Sequence, residues 1–468
     1  MHIVAIGGSD AGISAALRAR EVDPGAEVTV VVADAYPNFS ICGIPYYVSG
    51  EVTHWRNLAH RTYADLEAAG MRLRLEATAR KIDVVGHTLH LSGPDGTAED
   101  AVPYDRLVIG TGAVPVRPPI AGLDGLGPAD GVHLLHSMDD TFAIMDTLER
   151  ASPTSAVIVG AGYIGLEMAE ALSARGLAVT QIEQLPEVLP TVDPELGALV
   201  RAQLEAHGVT VRSGTAVRGI STAEPGASGR LRVEAAAGDG TASIVHADLV
   251  LVVTGVRPET ALAVSAGASL GARGAIAVDR SMRTGLPDVY AAGDCVVTYH
   301  RLLGETYLPL GTTAHKQGRV AGENAAGGCR AFAGSLGTQV VKVFDQAAAR
   351  TGLRDHEAVA AGFDPVTVAF QADDHKAYYP GSRKISMRFT GDRGTGRLLG
   401  VQFFGHKHAE IAKRIDIAAT AIYHGMTIDE VSDLDLSYTP PLGSPWDAVQ
   451  LGAQAWARHL TAGDPRIA

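Results

Sequence analysis

The feature that most constrains the fold is a pattern that occurs twice: an apolar strand, a glycine-rich turn, a helix of small residues and a second apolar strand. One copy begins with HIVAIGGSDAGISAALRAR at residue 2, and the other begins with SAVIVGAGYIGLEMAEALSARG at residue 155. Each copy is a β-α-β unit of the dinucleotide-binding type, in which a pyrophosphate lies at the helix N-terminus. The sequence therefore predicts an α/β protein with two Rossmann-like domains that hold two nucleotides.

The second copy carries the complete fingerprint, with Gly160, Gly162, Ile164 and Gly165 in the turn. The glycines allow a tight turn, a close approach of the backbone to a pyrophosphate, and close packing of helix on strand. Glu183 ends the next strand, 23 residues after Gly160. A carboxylate there accepts hydrogen bonds from both ribose hydroxyls and repels a 2′-phosphate, so the sequence predicts NADH and disfavours NADPH.

The first copy is less complete, because serine stands where the middle glycine is usual. Its loop residues are Gly7, Gly8, Ser9 and Gly12. A later strand ends in Gly293 and Asp294 and so delivers a carboxylate to a glycine turn. Polyhydroxylated ligands bind at this edge of a parallel sheet. Together the two features predict FAD.

The chain has 468 residues, enough for about three domains. A discontinuous FAD-binding domain is predicted over 1–115 and 250–325, with an NAD(P)H-binding domain between them over 116–249. The remaining residues, 326–468, mix strand patterns, one of them over 338–344, with helix patterns and predict an α+β domain. A net charge of −13 argues against nucleic-acid and membrane-surface partners, because both attract basic faces.

The three cysteines, Cys42, Cys295 and Cys329, have no pairing rhythm, so a reduced, cytoplasmic protein is expected. No signal-peptide pattern opens the chain, and no apolar run approaches the ~18 residues of a membrane span. Histidines in the stretch Gly405–His408 lack the carboxylate or cysteine that would complete a metal site, so no metal is predicted.

One cysteine lies in the segment PNFSICGIPYY, about ten residues after a predicted strand. A dithiol flavoenzyme would place a second cysteine five positions after Cys42, and that position is Tyr47. Cys42 is therefore predicted to exchange electrons with a thiol or oxidant from outside the chain. A buried, inert thiol is the alternative.

These motifs resemble the FAD- and pyridine-nucleotide-dependent disulfide oxidoreductases, and in particular their single-cysteine branch of coenzyme A disulfide reductases, NADH oxidases and NADH peroxidases. The resemblance covers nearly the whole chain. Beyond the glycine loops and Cys42 it rests on IGTGAVP from 109, TGVRPE from 254, YAAGDC from 290, LPLGTTAHKQGRVAGEN from 308 and SYTPPLGSPWDAV from 437. It adds six residues to the predicted cofactor sites: Thr111, Gly112, Gly255, Gly311, Thr312 and His315.

The resemblance implies a homodimer in which hydride passes from NADH to the flavin and electrons pass on to Cys42. The C-terminal domain would form the dimer interface and complete the partner's active site.

Two positions depart from the family. Its acid after the second strand aligns with Val32, so that Asp34 or backbone groups would meet the FAD ribose. Its usual asparagine is His315, for which proton transfer and helix packing are both open.

Residues that differ within the branch bear on the reaction. Oxidases and peroxidases have histidine at the position of Asp10 and the coenzyme A disulfide reductases have alanine, so Asp10 matches neither. It either stabilises the helix start or acts on protons.

The disulfide reductases bring two tyrosines from the partner subunit toward the cysteine, and Tyr378, Tyr379 and Tyr438 follow that pattern. Interface packing is the alternative for these tyrosines.

Coenzyme A would also need cations for its phosphates. Four arginines are candidates, although exposed arginines are often only solvated: Arg18, Arg20, Arg56 and Arg61.

Taken together, the motifs and the resemblance predict a flavoenzyme that reduces a small disulfide or persulfide of the coenzyme A class. One alternative is an NADH oxidase or peroxidase that cycles Cys42 through a sulfenic acid. The other is a redox-sensing flavoprotein without rapid turnover.

Overall fold

The computed structural model describes residues 1–93, 96 and 99–462, which divide into two compact units. The first unit comprises Met1–Val116, His136–Phe142 and Gly255–Ser335. The second comprises Arg117–Leu135, Ala143–Thr254 and the chain from Leu336 onward. The helix Met138–Arg150 begins in the first unit and ends in the second.

A five-stranded parallel sheet forms the centre of the first unit. Its strands in spatial order are Val289–Ala291, Arg106–Ile109, His2–Ile6, Glu27–Val31 and Met71–Arg74. Its central residues, such as Val4, Ala5 and Leu107, are almost completely buried, as is typical of a parallel sheet covered on both faces. This unit also has smaller antiparallel sheets. One of them has three strands, Thr78–Asp83, Thr88–Ser92 and Glu99–Pro103. Two others have two strands each: Ala113–Pro115 pairs with Val256–Pro258, and Thr298–His300 pairs with Gly304–Thr306.

Two helices of the first unit pack closely against each other. The helices of this unit include Asp10–Val22, which we call the first loop helix, Ile44–Ser49, Tyr63–Ala68, Ala261–Ser265, and Gly311–Ala325, which we call the packing helix. Gly318 and Gly322 permit the close packing, because a Cβ atom at either would overlap the backbone of Ala11 or Ala15. The start of the packing helix thereby lies beside Asp10: a Cβ at Gly311 would lie 2.8 Å from Asp10 Oδ2.

The second unit contains a parallel and an antiparallel five-stranded sheet. The parallel strands in spatial order are Thr210–Arg212, Ala178–Ile182, Ser155–Val159, Leu249–Val252 and Val132–Leu134. The antiparallel strands in order are Gln339–Val343, Gln346–Gly352, Leu398–His406, Lys384–Asp392 and Pro365–Asp373. A three-stranded antiparallel sheet joins Thr215–Thr222, Leu231–Ala237 and Ala242–Ala247.

Helices flank these sheets. They include Tyr163–Ala174, which we call the second loop helix, Pro194–Ala206, Asp355–Ala360, Ile411–His424, Ile428–Ser432 and Ala448–Ala462. Asp193, which precedes one of them, accepts hydrogen bonds from Arg388 Nε (2.5 Å) and Gln402 Nε2 (2.9 Å) of the antiparallel sheet. Within this unit, these bonds connect the start of the helix Pro194–Ala206 with the antiparallel sheet.

The architecture confirms the predicted fold class: two parallel Rossmann-like sheets and a C-terminal α+β region. The predicted boundary at residue 250 divides the strand Leu249–Val252, whereas this strand pairs with Ser155–Val159 in the second unit's parallel sheet. The division of the chain into three domains stays a prediction. The last residues of the predicted third domain, 463–468, lie outside the described part of the chain.

Candidate active site

The first glycine loop joins the strand His2–Ile6 to the first loop helix. Gly7 has a φ of 109°, and a Cβ there or at Gly12 would overlap backbone atoms, so both positions need glycine. The Ser9 side chain caps no N–H group of the helix. The start of the helix therefore offers backbone donors and a positive dipole end to an anion such as a pyrophosphate. A Cβ at Gly8 would meet the buried Val32 side chain.

Asp294 follows the edge strand Val289–Ala291 at the carboxyl end of the same sheet. Gly293 turns the chain there with a φ of 90°, and its N–H donates to Gln317 Oε1 (3.0 Å). Burial, together with the negative charge of Asp10, raises the pKa of Asp294 to about 6. A half-buried carboxyl at this edge of a parallel sheet is suited to accept hydrogen bonds from ligand hydroxyls. This arrangement fits the polyhydroxylated chain of FAD, which the sequence predicts here.

Thr111, Gly112 and Gly255 lie where the chain leaves and re-enters the first unit. The Thr111 hydroxyl donates to the Glu259 carbonyl (2.6 Å), and Glu259 N–H donates to the Gly112 carbonyl (3.0 Å). The Val116 N–H donates to the Gly255 carbonyl (2.9 Å). Gly112 and Gly255 both have positive φ, and a Cβ at either would meet nothing within 4 Å. Their predicted contact with a cofactor stays a prediction.

Asp10 and His315 form a close pair between the two packed helices. His315 Nε2 lies 3.3 Å from Asp10 Oδ1, and His315 Nδ1 lies 2.9 Å from Ser14 Oγ. The His60 ring is 6.3 Å from the His315 ring, centre to centre. Burial raises the pKa of Asp10, and the two histidines oppose that rise. Sequence reasoning missed Ser14, although its position one helical turn after Asp10 was a signal for it.

Cys42 is exposed on the 3-10 turn Ile41–Gly43, directly before the helix Ile44–Ser49. Hydrogen bonds hold this segment in place. Asn38 N–H donates to the Gly8 carbonyl (2.6 Å), and His60 N–H donates to the Asn38 carbonyl (2.9 Å). The Cys42 segment is thus attached both to the first glycine loop and to the chain that carries His60.

Asp34 lies in the loop after the strand Glu27–Val31. Its Oδ1 accepts a hydrogen bond from the Tyr36 N–H (2.8 Å), and burial raises the pKa of its carboxyl. Tyr36, Phe39, Trp55 and Phe142 form a cluster of aromatic rings beside it, with ring centres 5.3 to 6.0 Å apart. This cluster was not predicted. The role of Asp34 toward the FAD ribose stays a prediction.

The second glycine loop lies in the second unit and has the predicted geometry. Gly160 has a φ of 108°, and a Cβ at Gly165 would overlap the Gly160 carbonyl oxygen. Gly162 directly precedes the second loop helix and faces open space, since a Cβ there would meet nothing within 4 Å. Ile164 is half-buried in the first turn of that helix. The loop therefore leaves room for a pyrophosphate at a helix start.

Glu183 lies directly after the strand Ala178–Ile182 and is 7% exposed. Its two carboxylate oxygens accept hydrogen bonds from the N–H groups of Ala161 and Leu185, both at 2.8 Å. The carboxylate is thus held beside the second glycine loop. Its predicted role, to accept hydrogen bonds from ribose hydroxyls and to repel a 2′-phosphate, stays a prediction.

The three predicted tyrosines lie on the surface of the second unit. Tyr378 is 72% exposed, and Tyr379 and Tyr438 are also exposed. Tyr378 and Tyr438, although distant in the sequence, share a hydrogen bond between their hydroxyls. Partial desolvation and this bond raise the pKa of Tyr438. The Tyr379 ring lies 5.8 Å from the His375 ring. The raised pKa keeps the Tyr438 hydroxyl protonated at neutral pH.

The four arginines differ in what they bind within the first unit. Arg18 donates to Glu323 (2.7 and 2.9 Å) and to Glu21 (2.8 Å). Arg20 donates to the carbonyls of Pro24 and Ala26. Arg56 and Arg61 are exposed. The Arg56 guanidinium stacks on the Trp55 ring at 4.3 Å. A phosphate-binding role stays a prediction for all four.

Thr312 lies in the first turn of the packing helix, next to Gly311 and three residues before His315. The first turn of this fifteen-residue helix contains no acidic side chain.

Among the described residues, no group of three or more histidine, cysteine and acidic side chains is arranged to hold a metal ion. No helix in the same part of the chain is long and apolar enough to cross a bilayer.

Comparison with known proteins identifies the family. Residues 1–318 match the family described as pyridine nucleotide-disulphide oxidoreductase, and residues 338–448 match the dimerisation domain of that family. An NAD(P)H sulfur oxidoreductase (CoA-dependent) from Pyrococcus furiosus is 36% identical, covering 95% of this chain and 96% of that protein. An NADH oxidase from Methanocaldococcus jannaschii is 32% identical, covering 98% of this chain and all of that protein.

A solved structure agrees with these relatives. The NAD-dependent persulfide reductase from A. fulgidus superposes with a TM-score of 0.91 at 39% identity, covering 98% of this chain and 83% of that one. The predicted resemblance is thus confirmed, and the chain carries a dimerisation domain. It belongs to the pyridine nucleotide-disulphide oxidoreductase family and is an oxidoreductase that uses FAD and NAD(P)H.

Proposed function

We propose that the protein oxidises NADH and reduces a low-molecular-weight disulfide or persulfide of the coenzyme A class through Cys42. The observation that carries the proposal is the exposed position of Cys42 on a turn that begins a helix, with Tyr47 where a second cysteine would lie. The CoA-dependent relative from P. furiosus and the persulfide reductase from A. fulgidus support this substrate class.

Cys42 would act as a nucleophile toward the substrate. Its thiolate attacks one sulfur of the disulfide, forms a mixed disulfide and releases the other sulfur as a thiolate, so that no second protein sulfur is needed. The N–H groups that begin the helix after Cys42 favour the thiolate form. When bound, FAD supplies the relay that carries the electron pair of NADH to the mixed disulfide.

The two glycine loops would hold the two nucleotides. The first loop, together with Asp294, would hold FAD, and the second loop would hold the NADH pyrophosphate. Glu183 would select NADH, because its buried carboxylate already lies beside the loop.

Localisation in the cytoplasm belongs to the same proposal and rests on the sparse, unpatterned cysteines.

A homodimer with a shared active site completes the proposal. In it, the Tyr378–Tyr438 pair of one subunit faces Cys42 of the other and donates hydrogen bonds to the departing thiolate. The dimerisation domain and the exposure of both tyrosines support this arrangement. Arg56 and Arg61 are the candidates for the coenzyme A phosphates that have most freedom to bind them, since Arg18 is paired with carboxylates and Arg20 with carbonyls.

The test is anaerobic NADH oxidation by the FAD-loaded protein, with and without coenzyme A disulfide. We expect strong stimulation that Cys42→Ser abolishes while NADH still reduces the flavin. Cys329→Ser is the matched control, because Cys329 is also an exposed cysteine of the first unit and should not be needed. Stimulation that survives in Cys42→Ser would contradict the mechanism.

The NADH oxidase from M. jannaschii favours a second candidate, which is the reduction of oxygen or peroxide. In that case Cys42 would cycle through a sulfenic acid. Fast, saturable oxygen or peroxide consumption without any added thiol, together with no response to coenzyme A disulfide, would select this activity instead.

A further inference from the structure

Two imidazoles and two carboxyl groups meet in the first unit, beside the chain that carries Cys42. The carboxyls are Asp10 and Asp294, and the imidazoles are His60 and His315. The Cys42 segment is bonded through Asn38 both to Gly8, two residues before Asp10, and to His60. Residues far apart in sequence are thus assembled at one place.

The Asp10–His315 pair is close enough to share a proton, since His315 Nε2 lies 3.3 Å from Asp10 Oδ1. Ser14 Oγ is bonded to His315 Nδ1, which leaves Nε2 for Asp10. A hydroxyl donates or accepts as needed, so Ser14 holds the ring in place whether or not the imidazole is charged. The His315 side chain is 45% exposed, whereas that of Asp10 is 25% exposed. The histidine therefore connects a more deeply buried carboxyl to solvent.

A helix-capping role does not account for this arrangement. An aspartate that only stabilised the helix start could point into solvent. Instead, Asp10 turns toward the packing helix, where a Cβ at residue 311 would lie 2.8 Å from its Oδ2. Gly311 is thus what makes room for the carboxyl next to His315.

The proposed reaction needs a proton at this step. The sum NADH + H⁺ + RSSR → NAD⁺ + 2 RSH takes one proton from solution. When the Cys42 thiolate attacks the disulfide, the Cys42–S–S–R bond forms, the substrate S–S bond breaks, and its electron pair leaves on RS⁻. That thiolate requires a proton before it is released as a thiol.

We propose that Asp10 and His315 hold one proton between them and deliver it to the thiolate that leaves when Cys42 attacks the substrate. The exposed edge of His315 then recovers a proton from solvent. Within the described part of the chain, two further titratable groups act on Asp10: His60 opposes the rise of its pKa, and Asp294 carries a charge of the same sign. This inference rests on the proposed function.

The experiment measures kcat for the NADH and coenzyme A disulfide reaction from about pH 5.5 to 9 with the FAD-loaded protein. The variants are His315→Asn, Asp10→Asn and the control His90→Asn, which changes a half-buried histidine on the strand Thr88–Ser92 of the same unit. The wild type should lose kcat as the pair deprotonates at rising pH. His315→Asn should lose about a hundredfold in kcat and this pH dependence, because a positioned acid contributes at least that much.

A second measurement separates chemistry from folding. Imidazole added to His315→Ala should restore part of kcat, because the site opens to solvent, and FAD absorbance per chain should match that of the wild type. A His315→Asn profile with wild-type kcat and shape, or no rescue in a fully FAD-loaded His315→Ala, would overturn the proton-donor role alone. A wild type that no disulfide stimulates would overturn the proposed function and this inference with it.

Discussion

At the scale of single residues, the glycines of both nucleotide loops and the acid after the second loop, Glu183, could be located from the sequence, because their spacing follows from the geometry of one β-α-β unit. The Asp10–His315 pair could not be predicted in the same way. Its members are separated by about three hundred residues, and only the packing of two helices brings them together. The sequence pattern of either segment alone does not indicate that contact.

Glu183 gives a prediction at this scale. Replacing Glu183 with alanine should raise KM for NADH about tenfold or more, since a hydrogen bond to a charged group contributes about 1.5–3 kcal/mol. It should also narrow the preference for NADH over NADPH, because the repulsion of a 2′-phosphate is removed. Steady-state kinetics with both nucleotides measure the two effects.

The control for this prediction is Glu224→Ala, which removes an exposed glutamate from the same unit. It should leave both KM values unchanged. If Glu183→Ala also left the KM for NADH and the nucleotide preference unchanged, the ribose would have to be held by other groups.

At the scale of elements, strongly patterned segments were predicted well and weakly patterned ones were not. The predicted strand 338–344 is confirmed as Gln339–Val343, which is rich in valine. Its neighbour Gln346–Gly352, with the sequence QAAARTG, was missed. Alanine and glycine have low strand propensity, and this strand forms because it pairs on both sides in the antiparallel sheet.

Helix packing gives a prediction at this scale. Gly322→Ala should destabilise the protein by about 1–3 kcal/mol, because its Cβ would overlap the backbone of Ala15 in the first loop helix. Gly285→Ala is the matched control, since a Cβ there meets nothing within 4 Å. Urea midpoints of both variants test this, and equal midpoints would show that the two helices separate without strain.

At the scale of the whole molecule, the shared active site gives a prediction about mixed dimers. Neither Cys42→Ser nor Tyr438→Phe homodimers should reduce coenzyme A disulfide at the wild-type rate. If each site takes Cys42 from one subunit and Tyr438 from the other, a mixed dimer of the two variants contains one intact site. Random pairing should then restore about a quarter of the wild-type activity, as two-fold symmetry requires.

The mixed dimers are made by co-expression of two differently tagged chains, and activity is measured per FAD. Sites built within one subunit would contain no intact pair in any mixture. Activity per FAD that stays at the average of the two separate variants would therefore contradict the shared site.

The division of the first unit along the chain has a consequence for synthesis on the ribosome. The strand Arg106–Ile109 pairs on one side with His2–Ile6, but its other partner, Val289–Ala291, is made much later. At about 5–20 residues per second, the growing chain exposes this unpaired apolar edge for roughly 10 to 35 seconds. An open edge of this kind invites pairing with other chains. Protection of nascent chains by chaperones should therefore matter more for this protein than for one whose first sheet closes before the second begins.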